Sequence, residues 1–288
     1  MALVKSIFRK SNIGTIIFFL LNGAIIVGLF ALGGMHSLII GVVLYIISVL
    51  LAFTRFGDWI LCVMTGARKM TRADMKIRMR PLLEIVYKKA MRKTRGLSNK
   101  LRLKVIYTPE PNAFAIGRRT ICVTEGLFEL PDDVVQGVLA HEVAHLALKH
   151  TKIQLLIGGG NFIIAAFILV LRLIYSFLGF FTLATAISQF RRPGGCLMVL
   201  PGLLVAGIIW LWTKFCMLFL MWSSRKNEYD ADAYAAELGY GYELAKALDA
   251  IGTSQPQESF FKALYSTHPE THDRIGQLQN LGVDYYRY

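Results

Sequence analysis

Two histidines and a glutamate in the segment His141-Glu142-Val143-Ala144-His145 are the residues best suited to chemistry. Residues four apart share one face of a helix, so His141 and His145 can bind one metal ion through their imidazoles. Glu142, beside the first of them, can reach a water at that metal and act as a general base. The pattern H-E-x-x-H arises by chance in about one chain in a hundred of this length. A metal-dependent hydrolase is therefore favoured over two helix histidines with an incidental glutamate.

A helix has to present this segment, and Pro131-Asp132-Asp133 marks where it begins. Acidic residues stabilise the positive N-terminal end of a helix. The packing stripe of the helix is formed by apolar residues, namely Val134, Val135, Val138 and Leu139. Because a catalytic zinc normally has three protein ligands and one open position, a third ligand must come from another part of the chain.

Glu228 and Asp232, in the segment Ser224–Asp232, are candidates for completing such a site. They are four residues apart, at the start of a helical stretch that Gly239 ends, so they share one helix face. One of them can bind the metal while the other accepts a hydrogen bond from a ligand histidine. An acidic pair at this spacing is more often a solvated helix face, and the spacing alone leaves both alternatives open.

The composition excludes an ordinary soluble domain. Of the 288 residues 55% are hydrophobic and the mean hydropathy is +0.48, against roughly 45–50% apolar residues in soluble domains. Two apolar runs, Ile13–Leu32 and Ser37–Thr54, are long enough to cross a membrane and predict a hairpin. A cleaved signal peptide is the alternative for the first run, but signal cores are shorter. Residues 153–222 predict a second hairpin, although two arginines in its central polar stretch leave its full crossing open.

Basic residues flank the first hairpin at Lys5, Arg9, Lys10 and Arg55 and are absent from its connection. The positive-inside rule therefore places both ends of the hairpin in the cytoplasm. The formal net charge of the chain is +13, and residues 55–104 hold 15 basic and 3 acidic residues, a net charge of +12. Because this segment follows an apolar span and has few aromatic residues for stacking on bases, we predict contact with anionic lipid and no nucleic-acid binding.

The polar segments predict one small α+β domain that the second hairpin divides. Residues 81–94 have apolar side chains at helical spacing, at Leu82, Ile85, Val86 and Ala90. Residues 101–105 alternate between apolar and basic side chains, and the β-rich runs Asn112–Ile116 and Thr120–Thr124 follow a turn at residues 108–111. Together these three runs predict a small antiparallel sheet.

The predicted organisation has five segments. They are a cytoplasmic N-terminus (1–12), a first transmembrane hairpin (13–54), the first part of the cytoplasmic domain (55–152), a second transmembrane hairpin (153–222) and the second part of the domain (223–288). The two polar parts must form one domain on the cytoplasmic side of the membrane.

Four motifs, PNAFAIG, HEVAH, SRKNEYDAD and STHPETHDRI, resemble in the same order the HtpX family of membrane-bound zinc endopeptidases, relatives of the CAAX prenyl proteases. The resemblance covers almost the whole chain. It implies an α-helical membrane protein, with four transmembrane helices, that carries an α+β zincin-like (gluzincin) protease domain. One departure is Lys149-His150, where family members often carry Gly-Asp. His150 lies about 180° from His141 around the helix, so we expect a surface or interfacial position for it.

The resemblance implies the metal and the catalytic groups. One Zn²⁺ per chain is bound by His141, His145 and Glu228. Glu142 is the catalytic base, and His268 is the donor that stabilises the oxyanion. Without the resemblance, a lone histidine before a proline is ordinarily a turn residue.

The resemblance also implies the residues that support the site. Asp232 orients a ligand histidine, and Arg274 braces the cluster. Asn112, Ala113 and Phe114 form the strand beside the cleft, where an extended substrate can pair with the backbone.

The resemblance therefore implies a multi-pass protease of the inner membrane, with its protease domain in the cytoplasm. Its partners are membrane lipids and misfolded or membrane protein substrates, and its role is quality control. A CAAX-type prenyl protease would use the same site but has more spanning segments. An intramembrane site-two protease would bury the H-E-x-x-H motif in an apolar span, whereas this helix has polar ends. A non-enzymatic lipid-binding protein with a structural metal is the remaining alternative.

Overall fold

The computed structural model describes residues 34–151, 225–252 and 271–286, together with scattered positions between residues 13 and 31. The predicted N-terminal segment (1–12), the second hairpin (153–222) and His268 lie outside the described residues, as does most of the first apolar run. Among the described residues one helix, α1 (Gly34–Ala52), is long and apolar enough to cross a membrane. It corresponds to the second predicted apolar run.

A short amphipathic helix, α2 (Arg55–Met64), follows α1 almost at once. Thr54 separates the two, because its hydroxyl accepts a hydrogen bond from the Phe56 N–H at 3.2 Å and so caps α2. One face of α2 packs on the sheet, where Cys62 is buried with Cys122. The other face exposes aromatic and aliphatic side chains.

Four strands form one sheet in the spatial order β1-β2-β4-β3. Their bounds are Arg68–Lys69 for β1, Arg102–Ile106 for β2, Ala113–Ile116 for β3 and Thr120–Thr124 for β4. β1 pairs antiparallel with β2, and β3 pairs antiparallel with β4, but β2 and β4 are parallel. The sheet is therefore mixed, and the prediction of an antiparallel sheet is wrong for its central pair.

Burial explains why β4 takes the central position. All five residues of β4 are buried, and strands covered on both faces are typical of parallel pairing, whereas β2 is partly exposed. The turn at residues 108–111 does not form a hairpin, because the chain after β4 folds back onto it. The Gly126 N–H donates to the Thr108 carbonyl at 3.0 Å. A Cβ on Gly126 would lie 1.9 Å from the Pro109 carbonyl oxygen, so only glycine allows this approach.

The helix α3 (Ala73–Lys93) begins eight residues before the predicted start at residue 81. Met75 and Met79 continue its buried stripe by two turns, so the helix passes through Pro81 without ending. Ile85, which was predicted to be in the buried stripe, is 49% exposed, and Leu83 is buried instead. The buried face of α3 is therefore rotated relative to the predicted one. The sequence did not distinguish the two faces, because each has enough apolar residues to satisfy helical periodicity.

The helix α4 (Asp132–Leu148) lies at the centre of the domain and carries the H-E-x-x-H motif. It packs against α3 on one side and α6 (Gly241–Gly252) on the other, so the four residues of its predicted stripe are buried and so are most others. A Cβ on Gly137 would lie 2.4 Å from the backbone carbon of Glu243, so α4 and α6 meet backbone to backbone. Residues 225–237 form the helix α5, and α7 (Thr271–Asn280) packs on α6.

Candidate active site

His141 and His145 lie one turn apart on α4 and point to the same space. Their Nε2 atoms are 3.1 Å apart, and both residues are buried. The residues that cover them come from β3, α5 and α7, so the histidines lie inside the domain rather than on an exposed helix face.

Glu228, on α5, completes a group of three with these histidines. Its Oε2 lies 3.2 Å from Nε2 of His141, and its Oε1 lies 3.3 Å from Nε2 of His145. In a tetrahedral zinc site with bonds of about 2.0–2.1 Å, ligand atoms are about 3.3–3.4 Å apart. The distance between the two imidazole nitrogens and the distance from each of them to the nearer carboxylate oxygen are therefore close to the ligand spacing of a zinc site, and two imidazoles with one carboxylate are a donor set that zinc accepts.

Asp232 and Arg274 form an ion pair behind His141. Asp232 Oδ1 lies 2.8 Å from Nδ1 of His141, the ring nitrogen that faces away from Glu228. Arg274 donates from Nη2 and Nε to the two oxygens of Asp232 at 2.7 and 2.8 Å, a bidentate pair. Both residues are buried. This arrangement fixes the plane of the His141 ring and presents Nε2 to the metal position.

The charges of this cluster control protonation. Burial and the Arg274 charge oppose a proton on His141, but hydrogen bonds to Asp232 and Glu228 outweigh them and raise the pKa of His141 to about 10. Burial raises the pKa of Asp232, but the hydrogen bonds and charges of Arg274 and His141 together have the larger effect and lower that pKa below its ordinary value. In the absence of a metal, a proton on His141 thus takes the place of a cation between two carboxylates.

Glu142 points to the sheet side of the cluster. The Ala115 N–H donates to its Oε2 at 2.7 Å, so β3 runs directly beside the proposed base. β3 is an edge strand in the described sheet, and the Ala115 N–H turns away from β4. The predicted substrate residues Ala113 and Phe114 lie in this strand and Asn112 precedes it, with its backbone N–H and carbonyl bonded to Thr124.

His150 is the residue that sequence reasoning misplaced. It is 2% exposed, and its Nδ1 lies 3.1 Å from Nδ1 of His145, so the expected surface position is wrong. The expectation assumed a continuous helix, whereas α4 ends at Leu148 and Lys149 has a left-handed backbone with φ of 67°. This cap turns the chain back and brings His150 onto the rear nitrogen of His145. The sequence carries only a weak signal here. A basic or polar residue directly after the motif helix does not indicate that its side chain contacts His145.

The comparisons with known proteins agree with this chemistry. The family model "Peptidase family M48" matches residues 78–281. A protease HtpX homolog of Janthinobacterium sp. (strain Marseille) is 30% identical over 85% of this chain and 84% of its own length. Another, from Syntrophobacter fumaroxidans, is 29% identical over 87% of this chain and 92% of its own length.

Among solved structures, that of Ste24p from S. mikatae is similar, with a TM-score of 0.49 and 20% identity. The likeness covers 88% of this chain and 61% of that one. The matched region of the family model contains the whole of α4, α5 and α7, and with them the buried cluster around His141. The chain belongs to peptidase family M48 and is a metalloprotease related to the HtpX proteases.

Proposed function

We propose that this protein is a membrane-anchored zinc endopeptidase that hydrolyses peptide bonds at the cytoplasmic face of the membrane. His141, His145 and Glu228 hold one Zn²⁺ per chain in this proposal. The observation that carries it is the convergence of these side chains: the two Nε2 atoms lie 3.1 Å apart, and the Glu228 carboxylate lies 3.2 Å from His141 Nε2 through Oε2 and 3.3 Å from His145 Nε2 through Oε1. Three protein ligands leave a fourth position open, which is typical of catalytic rather than structural zinc.

The side chains and the backbone around this ion would each have a separate role in catalysis. When bound, zinc supplies Lewis acidity, which polarises the scissile carbonyl and makes water more acidic. Glu142 takes the proton of the attacking water and passes it to the leaving amine. The Ala115 N–H holds its Oε2, which leaves Oε1 for the proton. His268 would donate to the oxyanion and Arg274 would keep Asp232 in place.

The edge of β3 supports broad substrate use. An extended peptide that pairs with the segment Asn112–Phe114 would be recognised through its backbone, with little demand on its sequence. Because Ala115 in the same strand contacts Glu142, a peptide on this edge would pass beside the proposed base. Such recognition suits the removal of misfolded membrane proteins, and we propose this as the physiological role.

The membrane arrangement is part of the proposal. Two hairpins, 13–54 and 153–222, anchor the protein in the inner membrane, and residues 55–152 and 223–288 form one cytoplasmic protease domain. Support comes from α1, which is apolar enough to span, and from the origin of the ligands. His141 and His145 come from the first polar part and Glu228 from the second, so the site requires both parts to fold together.

The proposal is tested with the full chain in detergent by zinc analysis and casein cleavage, with and without a chelator. Glu142→Gln should retain stoichiometric zinc but lose activity at least about 100-fold, since general bases contribute about 10²–10⁴ in rate. Glu237→Gln, at an exposed position on the same domain, is the matched control and should keep full activity. Activity of Glu142→Gln within tenfold of wild type would refute the assignment of the base.

A farnesylated CAAX peptide distinguishes the prenyl-protease alternative. A general endopeptidase should cleave casein at least as efficiently as this peptide, whereas a CAAX-type enzyme should require the prenyl group. If neither substrate is cleaved although zinc is bound, a structural metal is the better explanation.

A further inference from the structure

A cleft at the end of α4 is lined by basic side chains from four separate parts of the chain. Its volume is about 330 Å³, and the basic residues that line it are Arg55, Arg95, Arg118, Arg119 and Lys149. They come from the start of α2, the loop after α3, the turn between β3 and β4, and the cap of α4. No acidic residue lines the cleft in the part of the chain that the structure describes.

Four of these five cations have no counter-charge among the described residues. Arg118 lies 3.5 Å from a carboxylate oxygen of Asp58, but the other four form no ion pair with any described residue. The Nε atoms of Arg118 and Arg119 are buried and have no hydrogen-bond partner within the described ranges. Of the residues outside those ranges, 1–33 and 152–224 contain no Asp or Glu, whereas 253–270 contain Glu258 and Glu270.

Buried guanidinium N–H groups without an acceptor are costly, which points to a ligand that supplies oxygen atoms. A helix-dipole explanation does not account for the cluster. The C-terminal end of α4 is equivalent to about half a negative charge, which Lys149 at its cap already exceeds. The remaining four basic residues therefore need another reason to be placed around one cleft.

The cleft lies at the membrane end of the domain. Arg55 begins α2, and α1, the helix that is apolar enough to cross a membrane, ends at Ala52. On the free face of α2, Phe56 is 50%, Trp59 58% and Val63 60% exposed, and the rings of the first two stack at 5.7 Å. Tryptophan is enriched at the membrane–water interface, and helices that lie in this interface carry Trp and Phe on their apolar face. The helix α2 therefore has the composition of an interfacial helix.

We propose that this cleft binds a phosphate group, such as that of an anionic phospholipid headgroup at the membrane surface. Arginine is well matched to this ligand, because its planar guanidinium donates two parallel hydrogen bonds to phosphate oxygens. A volume of about 330 Å³ is at the small end of ligand sites and suits a headgroup rather than a peptide. None of the residues that line the cleft is a ligand in the metal cluster, so phosphate binding can be tested apart from peptidase activity.

The test uses native mass spectrometry of the full chain in a neutral detergent, titrated with phosphatidylglycerol and, separately, with phosphatidylcholine. Wild type should bind one phosphatidylglycerol in clear preference to phosphatidylcholine. Arg95→Gln/Arg119→Gln should bind it roughly 30-fold more weakly, since each basic side chain near a lipid surface contributes about a fivefold factor. The matched control, Arg80→Gln/Lys88→Gln, removes two exposed charges from α3 outside the cleft and should bind within about twofold of wild type.

Inorganic phosphate distinguishes the two sources of the ligand. If millimolar phosphate displaces the lipid, the cleft also accepts the free anion, and if it does not, the ligand is the lipid headgroup. Hydrogen exchange of wild type gives a measurement that needs no variant, because exchange at residues 95–98 should slow with phosphatidylglycerol and not with phosphatidylcholine. Equal binding by wild type and Arg95→Gln/Arg119→Gln, or an equal loss in the control, would overturn the proposal.

Discussion

His141 is held between two carboxylates, one at each ring nitrogen, and this determines what the cluster can bind. Asp232 is neutralised by Arg274, to which it makes two hydrogen bonds. The Glu228 carboxylate lies in a buried space with its oxygens 3.2 and 3.3 Å from the two imidazoles and 3.5 Å from Arg274 Nη1. Burial of a carboxylate carries a desolvation cost that a positive charge beside it offsets. A divalent cation held by His141, His145 and Glu228 would take over this role from the proton on His141.

The two carboxylates should therefore respond differently to removal. Glu228→Ala should lose the metal and all activity, because it deletes a ligand. Asp232→Ala should keep the metal with an affinity about 10–100-fold weaker, the usual effect of losing a partner behind a ligand histidine. Competition with a chromogenic chelator measures both affinities, and Glu237→Ala serves as the control. Normal zinc affinity in Glu228→Ala would show that the third ligand is another residue.

His150 should act as a positioning residue for His145. A ligand histidine that binds through Nε2 carries its proton on Nδ1, so His150 Nδ1 has to accept the hydrogen bond over 3.1 Å. His150→Ala should weaken zinc binding about 10–100-fold, and His150→Gln, whose amide oxygen can accept, should restore part of it. His36→Ala, at the start of α1, is the control. Unchanged zinc affinity in His150→Ala would mean that the contact only fills space.

At the scale of elements, the sequence pattern predicted those helices and strands that depend on interactions between neighbouring residues. The motif helix, the three longer strands and the stop at Gly239 (φ of 80°) all follow from residue spacing and backbone preference. The parallel pairing of β2 and β4 did not, since it depends on how the chain after β4 folds back on residues 108–111. His150 was misplaced for a similar reason, because the left-handed cap at Lys149 changes direction after the periodic pattern ends.

The residues of the candidate active site also divide into those that sequence spacing predicted and those that it did not. The spacing within H-E-x-x-H predicted His141 and His145 as a pair, since a helix fixes their relation within one turn. Glu228 and Asp232 could be assigned separate roles only through the resemblance, because their contacts with α4 span more than 80 positions of the chain. Arg274 gave no spacing signal at all, since its partner Asp232 is 42 residues away.

The contact between α4 and α6 gives a prediction at this scale. Gly137→Ala should destabilise the domain by about 1–2 kcal/mol, since its Cβ would lie 2.4 Å from rigid backbone of Glu243 and the gain in helix propensity is smaller. Gly276→Ala, in α7, meets nothing within 4 Å and should be neutral or stabilising by up to about 1 kcal/mol. Thermal unfolding in one detergent compares them. A Tm for Gly137→Ala at or above that of Gly276→Ala would contradict the packing described here.

At the scale of the whole molecule, charge and hydropathy are distributed so that one end of the domain belongs at a membrane. The apolar helix α1 is followed in sequence by α2, which has an exposed aromatic face. The first residue of α2, Arg55, is one of the five basic residues that line the cleft. The metal cluster is built from buried residues of α4, α5 and α7. This arrangement supports the proposal that the protease acts at the membrane surface.

The orientation of the molecule follows from the same charges and can be measured directly. Lys5, Arg9, Lys10 and the net charge of +12 in residues 55–104 should hold the domain in the cytoplasm, because short basic segments resist translocation. A reporter that fluoresces only in the cytoplasm should be active when fused at Tyr288, and one active only outside should be silent there. A fusion after Gly33, in the predicted outer turn, should give the reverse pattern and is the matched control. External activity at Tyr288 would place both the cleft of basic residues and the metal cluster on the outer side of the membrane and would contradict the orientation proposed here.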